Sequence, residues 1–421
     1  MKNNIIIKKI NIVLSVLFLY SCIDQMQDAG DAKKVTPVRG TVTIQVNTGF
    51  VTKAGDPGFP TEGLRAVFNN FSENFTKEGI VDERGIVSID SLIPGIYSVN
   101  VSGKVDYNGQ DYYLNGAVSN VSIFEDITEE DAIENNKKVP SINIRPAKVG
   151  PLCFREIYYC GVTPYYFRDQ TYEIYNNGDE VFYLDSLCFA QLEPNVATAT
   201  LPPDVWPDED GVDNYVYGIV VWQISGSGKD YPLQPGESFL IVQEARDHRV
   251  NNASSFDNSM AEWEAWSGNA GRDNPEVPNI AYVFWDKPNT MQWLTSVFGA
   301  AFCIYKMDTP FDPNNWQTQV NKTQRFMKIA AGDVMDGVEL LPNMFSFDMK
   351  RIPGFVDAGG TSVGATYCGK SVCRKVTGYR EDGTPLYQDT NNSTDDFEVM
   401  DQPMIRRNGE KVPAWSPALN N

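Results

Sequence analysis

Histidine is nearly missing from this chain: His248 is the only one among 421 residues. Zinc centres and iron sites assembled from several imidazoles are thereby excluded. A Ser-His-Asp mechanism would have to run through His248, and no G-x-S-x-G elbow adjoins it in the sequence. Its charged neighbours, Arg246, Asp247 and Arg249, point to a structural or exposed residue. Nothing is read as a phosphate-cradling loop or a dinucleotide fingerprint, so no nucleotide is expected and the chain is read as needing no cofactor. No repeat of fixed period stands out. Positive charge is also short, with 35 Lys+Arg against 55 Asp+Glu and a formal net charge of -20. Spread without long runs, that acidity repels nucleic acid and anionic membrane surfaces and favours solubility. No nucleic-acid partner is expected.

Aromatics are plentiful at 12%, and 33 Gly with 25 Pro favour many turns, the composition of a mainly β protein. The length suffices for two or three cores. At the start, Lys2, Lys8 and Lys9 flank an apolar run over residues 10–18 that is too short to span a membrane and reads as a signal peptide. It ends in Leu19-Tyr20-Ser21-Cys22, which resembles a bacterial lipobox, so residues 1–21 are expected to be removed and Cys22 lipidated. Two or more acyl chains, at ~0.8 kcal/mol per buried CH₂, make a stable anchor in the outer membrane. Residues 22–37 are polar and without periodicity, a flexible tether. Asp24 and Asp28 resemble the surface-export signal of some Gram-negative lipoproteins, which implies display at the cell surface; a periplasmic face is the alternative.

Alternation resumes at Val38, Gly40, Val42, Ile44 and Val46. A turn at Gly85 leads to a strand, a Pro94-Gly95 turn and a strand carrying Tyr97, Val99 and Val101. This resembles the small carboxypeptidase-regulatory or Cna-B β-sandwich, expected over 38–147, whose relatives serve as spacers or stalks. In the second half, 172–187 reads as a strand, an Asn-Gly turn and a second strand, a β-hairpin with Tyr172 and Ile174 on one face. Glu156-Ile157-Tyr158-Tyr159, this hairpin, Leu233-Gln234-Pro235-Gly236 and the closing Thr394-Asp395-Asp396-Phe397 follow one another as in the lamin-tail domain. That resemblance implies an immunoglobulin-like β-sandwich over 151–421, enlarged by insertions at about 190–215 and 245–345. The whole arrangement is similar to a family of Gram-negative, gut-anaerobe-type outer-membrane lipoproteins to which no reaction attaches. The fold class expected is therefore mainly β, with two β-sandwich domains behind a signal peptide.

The first insertion holds Asp208, Asp210 and Asp213, oxygens suited to Ca²⁺ but in no recognised calcium-loop spacing, so no metal site is expected. The second is rich in tryptophan. Asp257 or Ser259 would cap a short helix over 260–266 that sets Trp263 and Trp266 on one face. With Trp285, Trp293 and Trp316 they are either core or a platform for sugar rings; Trp263, Trp266, Trp285 and Trp293 are the candidate ligand-binding residues. Beyond Cys22 the cysteines are Cys153, Cys160, Cys188, Cys303, Cys368 and Cys373, enough for three disulfides in an exported protein. Cys368 and Cys373, close in sequence, are the candidate pair.

These features point to a lipid-anchored binding or accessory lipoprotein, not an enzyme, working with a TonB-dependent transporter or with other surface lipoproteins. The alternatives are a structural or adhesive surface protein and a glycoside hydrolase working through two carboxylates.

Overall fold

A computed structural model describes residues 35–46, 59–107, 109–134, 138–147, 149–193, 206, 215–266, 268, 272–288, 293–307 and 309–420. The signal peptide, Cys22, most of the tether and the acidic residues Asp208, Asp210 and Asp213 lie outside them. The chain is mainly β, built as several packed sheets.

The N-terminal unit holds β1 (Val38–Val46), β2 (Arg65–Asn70), β3 (Phe75–Ile80), β4 (Ile86–Leu92), β5 (Gly95–Tyr107), β6 (Gln110–Ile123) and β7 (Ser141–Ala147), with a short helix α1 (Glu129–Ile133). The strands run in the order β3-β2-β5-β6-β7-β1-β4, with β1 and β7 parallel. Alternation decides which face each strand buries: Ala66, Phe68 and Asn70 point inward from β2. The turn before β4 forms because Asp82 Oδ1 accepts from Arg84 N and Ile86 N, both at 2.9 Å, and Gly85 takes a φ of 73°. The sheet curls until its ends meet, and a Cβ at Gly79 of β3 would stand 3.0 Å from Val87 of β4. Phe68, Tyr97, Val99, Leu114, Ile123 and Ile142 fill the enclosed core.

The C-terminal unit opens with β8 (Leu152–Tyr158) and β9 (Thr171–Asn176), then β10 (Phe182–Tyr183), β11 (Cys188–Leu192), β12 (Tyr215–Gln223), β13 (Pro232–Leu233), β14 (Ser238–Val242) and β15 (Trp263–Glu264). It continues with β16 (Ala281–Trp285), β17 (Ala301–Tyr305), β18 (Trp316–Thr318), β19 (Arg325–Ala330) and β20 (Val334–Glu339). Last come β21 (Ser371–Arg374), β22 (Val376–Tyr379), β23 (Pro385–Tyr387), the single helical turn α2 (Ser393–Asp396) and β24 (Phe397–Met400). One sheet has the order β15-β14-β9-β8-β21-β24; the other runs β18-β19-β12-β11-β17-β20, with β16 also on β12. Phe154, Ile157, Tyr172, Ile174, Phe239 and Ile241 of the first sheet meet Phe189, Trp222, Phe302, Ile304 and Val338 of the second in one core. Residues 245–345 are therefore no appendage, because they supply β16 to β20, five of the seven strands in the second sheet.

Two expectations fail locally. The segment 172–187 is not a hairpin: β9 pairs with β8 and β14, while β10 pairs with β13. Asn176 redirects the chain, its Oδ1 accepting from Gly178 N and its Nδ2 donating to Glu180 O and Leu233 O. The helix over 260–266 is absent too, and Trp263–Glu264 form β15, parallel to β14. There Glu262 accepts from Leu240 N (2.8 Å), and Glu264 accepts from Ala245 N (2.9 Å) and Asn274 N (2.8 Å). An extended backbone lets these carboxylates satisfy amides that a helix would leave unpaired. Asp257 caps only a turn, accepting from Ser259 N at 2.9 Å.

Candidate functional site

The two units meet along β6. Gly354 packs so closely on Gly116 and Ala117 that a Cβ there would run into the Ala117 backbone nitrogen. Phe71 stacks on Phe347 with centroids 5.2 Å apart, and Asn115 Nδ2 donates to Thr390 O at 2.6 Å. Beside this seam lies a cleft of about 500 Å³. Arg65 of β2, Ser102, Gly103 and Lys104 of β5 and Tyr113 of β6 form one wall; Lys375, Gln388, Thr390 and Asp395 form the other. Arg65 reaches across, its Nη1 donating to Asp395 Oδ2 at 3.1 Å, while Glu78 holds its other side with Nε–Oε2 at 2.9 Å. Lys375 Nζ and Gln388 Nε2 both donate to Asp395 O. Three cations thus line the cleft with one lining carboxylate, Asp395, while Glu78 pairs with Arg65 from outside the lining, in a chain that is otherwise strongly acidic. Hydroxyls of Ser102, Tyr113 and Thr390 and the amide of Gln388 add neutral hydrogen-bonding groups.

The second wall stands on a buried ion cluster. Arg374 of β21 meets Asp336 Oδ2 at 2.6 Å, Asp396 Oδ2 at 3.1 Å and Asp389 Oδ1 at 3.2 Å, with every side chain at most 2% exposed. Burial pushes Asp389 up to about 7 and Asp336 and Asp396 up to about 6, against the pull of Arg374. Asp396 then accepts from Thr390 Oγ1 at 2.7 Å and Gln388 Nε2 at 3.2 Å, so two cleft-lining residues are oriented from below. A second cluster lies behind the other face of the same sheet, where Arg155 pairs with Glu156, Glu173 and, at 3.1 Å, Glu410. Among the described residues no group of three or more His, Cys, Asp or Glu side chains is placed to hold a metal ion.

The candidate residues read from sequence lie elsewhere. Trp263 is core, ringed by Tyr231, Phe239 and Trp415 at 5.0–5.4 Å between centroids. Trp293 is core as well, with Nε1 donating to Gln191 Oε1 at 2.8 Å. Trp285 is half-buried against Trp222 and Tyr282, and Trp266 is half-buried. These four do not gather into one exposed platform. Cys373 does not meet Cys368: it lies buried with Arg155 Nη1 at 3.7 Å, whereas Cys368 faces Cys160 with sulfurs 3.4 Å apart. Adjacency along the chain misleads here, because Cys373 belongs to β21 and Cys368 to the loop before it. Cys22 lies outside the described residues.

His248 is buried and structural. Its Nε2 faces the Glu244 carbonyl at 3.0 Å and must carry the proton, leaving Nδ1 to accept from Tyr166 Oη at 2.7 Å. Burial lowers its pKa to about 4.

Two short patterns, a nucleophile-elbow match and a phosphate-loop match, do occur in adjoining loops. Gly360-Thr361-Ser362-Val363-Gly364 matches G-x-S-x-G, and residues 364–371 match the phosphate-loop pattern G-x-x-x-x-G-K-S. Neither has the fold its chemistry needs. Both loops lead to β21, so no helix N-terminus follows to hold an oxyanion or a phosphate. Ser362 Oγ accepts from Gly364 N at 2.9 Å, and His248 is engaged with Tyr166. Ser371 Oγ donates to Glu156 Oε1 at 2.7 Å, Lys370 pairs with Asp401, and Gly369 N donates to Gly161 O.

Of the cleft residues, only Asp395 belongs to a sequence motif, the closing Thr394-Asp395-Asp396-Phe397. Arg65 and Lys104 are single charges within strands and Lys375 lies between two strands, so no local pattern marks them.

Fold and cleft together define a class: a mainly β protein of packed sheets with a polar, cation-lined cleft at the seam between its N- and C-terminal units. The chain belongs to the family described as "Protein of unknown function (DUF4876)", which matches residues 234–404. A crystal structure of a DUF4876 family protein from Bacteroides thetaiotaomicron VPI-5482 is similar at 37% identity and a TM-score of 0.60, over 90% of this chain and 99% of that one. No curated protein matches.

Proposed function

We propose that this chain is a binding lipoprotein of the outer membrane, anchored through Cys22 and exposed at the cell surface. It takes an acidic saccharide in the seam cleft and hands it to a partner such as a TonB-dependent transporter. One observation carries the reading: Arg65, Lys104 and Lys375 converge on a cleft of about 500 Å³ in a chain of net charge -20. Focused positive potential inside an acidic surface attracts a carboxylate or sulfate and repels the anion elsewhere. Hydroxyl and amide groups between the cations suit the remaining sugar hydroxyls. The volume lies within the ordinary range of ligand sites. Recognition is favoured over hydrolysis because glycosidases work with two carboxylates, and the lining offers Asp395 alone.

Calorimetry with uronic-acid oligosaccharides and their neutral counterparts tests the reading. Binding should be confined to the acidic series, weaken with salt, and fall about tenfold or more in Lys375→Ala, on the scale of one charge-assisted hydrogen bond. Equal binding of neutral and acidic sugars, or none of either, would refute it. The anchor is tested apart from the ligand: Cys22→Ala should release the protein from the membrane fraction.

A further inference from the structure

We propose that Cys160 and Cys368 are a disulfide-forming pair that pins two tyrosine-bearing loops together. The two sulfurs stand 3.4 Å apart, although the residues are 208 positions apart in the chain. Backbone bonds already clamp the segments: Tyr367 N donates to Cys160 O at 2.7 Å, and Gly369 N to Gly161 O at 3.0 Å. Val162 bridges both Tyr166 and Cys368. Gly161, with a φ of 71°, lets the first loop turn back on itself, since a Cβ there would strike Tyr166 O. Bond formation needs the sulfurs to approach by about 1.4 Å, towards the ~2.05 Å of a disulfide. Side-chain rotation can supply that while the backbone stays clamped.

The other cysteines have no such arrangement. Cys188 lies opposite Tyr305 and Cys303 opposite Ala190, so they are diagonal neighbours, typically ~7–8 Å apart and beyond disulfide reach. Cys153 packs with Tyr175 and Tyr387, and Cys373 lies against Arg155. What the link would hold is unusual. Tyr165 and Tyr367 both adopt positive φ (53° and 52°), their rings meet edge-on at 5.2 Å, and Tyr165 is 79% exposed. Left-handed backbone is strained at each such non-glycine residue, so the loops need an outside constraint.

Chemistry sets the order of events. Cys368 is partly exposed and Cys160 is buried, so the Cys368 thiolate attacks first. It attacks one sulfur of a small-molecule or protein disulfide, releases that oxidant's first thiolate and leaves a mixed disulfide. The Cys160 sulfur, giving up its proton, then attacks Cys368 Sγ and expels the second thiolate. Both protons end on the released thiols, and the electron pair passes to the oxidant.

The inference depends on the exported location only for the source of oxidant, so its test in vitro is independent of lipidation and of the cleft ligand. The purified chain is incubated with oxidised glutathione, blocked with N-ethylmaleimide and digested without reductant. The expected result is a peptide pair joining Cys160 to Cys368, with two hydrogens lost from the intact mass. The link should persist in Cys373→Ser and vanish in Cys368→Ser. Dithiothreitol should lower the melting temperature of the oxidised wild type and leave Cys368→Ser unmoved. Maleimide on both Cys160 and Cys368 after oxidation, or a link from Cys368 to Cys373, would overturn the proposal.

Discussion

A guanidinium with three buried carboxylates is held by geometry as much as by charge. Arg374 donates its Nε to Phe154 O at 3.0 Å and Nη1 to Gln388 O at 3.0 Å, so its planar fork is anchored by backbone on two sides. Taking it away leaves Asp336, Asp389 and Asp396 buried together without a counter-ion. Arg374→Ala should therefore cost ~3–5 kcal/mol, seen as a lower urea midpoint. Asp169 lets burial be read through pH. Desolvation raises its carboxyl to about 6, although Ser255 and Tyr158 donate to it. From about pH 4, where an unfolded Asp titrates, to about pH 6, the folded protein holds a proton that the unfolded chain has lost. This group's contribution to stability thus declines as pH rises through that window and is constant above it. His248 contributes with the opposite sign: its folded pKa of about 4 lies below the unfolded value, so its contribution declines as pH falls from about 6.5. Asp169→Asn removes only the first effect. Its stability relative to wild type should rise with pH between about 4 and 6, as followed by thermal melts at fixed salt.

Strands reveal how far local pattern reaches. The turn at Gly85, the Pro94-Gly95 turn and the strands around them form where alternation and turn chemistry predict. Local signals agree there with the faces that the sheet buries. Prediction fails at 172–187 and at 260–266, where both faces of a strand are buried and the polar groups find distant partners. Every residue of β9 is buried, yet the strand carries Glu173, which pairs with Arg155 on the side away from the apolar core. Alternation therefore cannot report which strand lies alongside. Trp263 follows the same logic. Spacing from Trp266 sets both on one helical face, as core or as a platform for sugar rings, whereas an extended backbone sends Trp263 into the core between the two sheets. Trp263→Ala should thus destabilise the fold by ~3–5 kcal/mol in denaturant titrations, with no selective loss of ligand affinity.

At the level of the whole molecule the cleft is a product of docking. Its walls come from strands β2, β5 and β6 on one side and from loops around α2 on the other, and neither wall alone encloses a cleft. The approach is set by Gly354 on Gly116 and by Phe71 on Phe347. Gly354→Val should wedge the seam open, break the Arg65–Asp395 pair and speed limited proteolysis between the units, while the Cys160–Cys368 pair, held by contacts within the C-terminal unit, still oxidises. Arg65 and Asp395 are 330 residues apart, and their meeting has no local signature.

The chain's own composition and alternation, together with its Gly-Pro turns, were enough to determine a mainly β protein and to exclude imidazole-rich metal centres, because those properties depend on neighbours in sequence. Tertiary structure alone decided which strands pair, which cysteine faces which, that four tryptophans divide between core and edge, and where three cations converge. Each of those depends on residues tens to hundreds of positions apart being brought within a few ångströms, and the energy that does so is spread over a whole buried interface and left no mark on any one stretch.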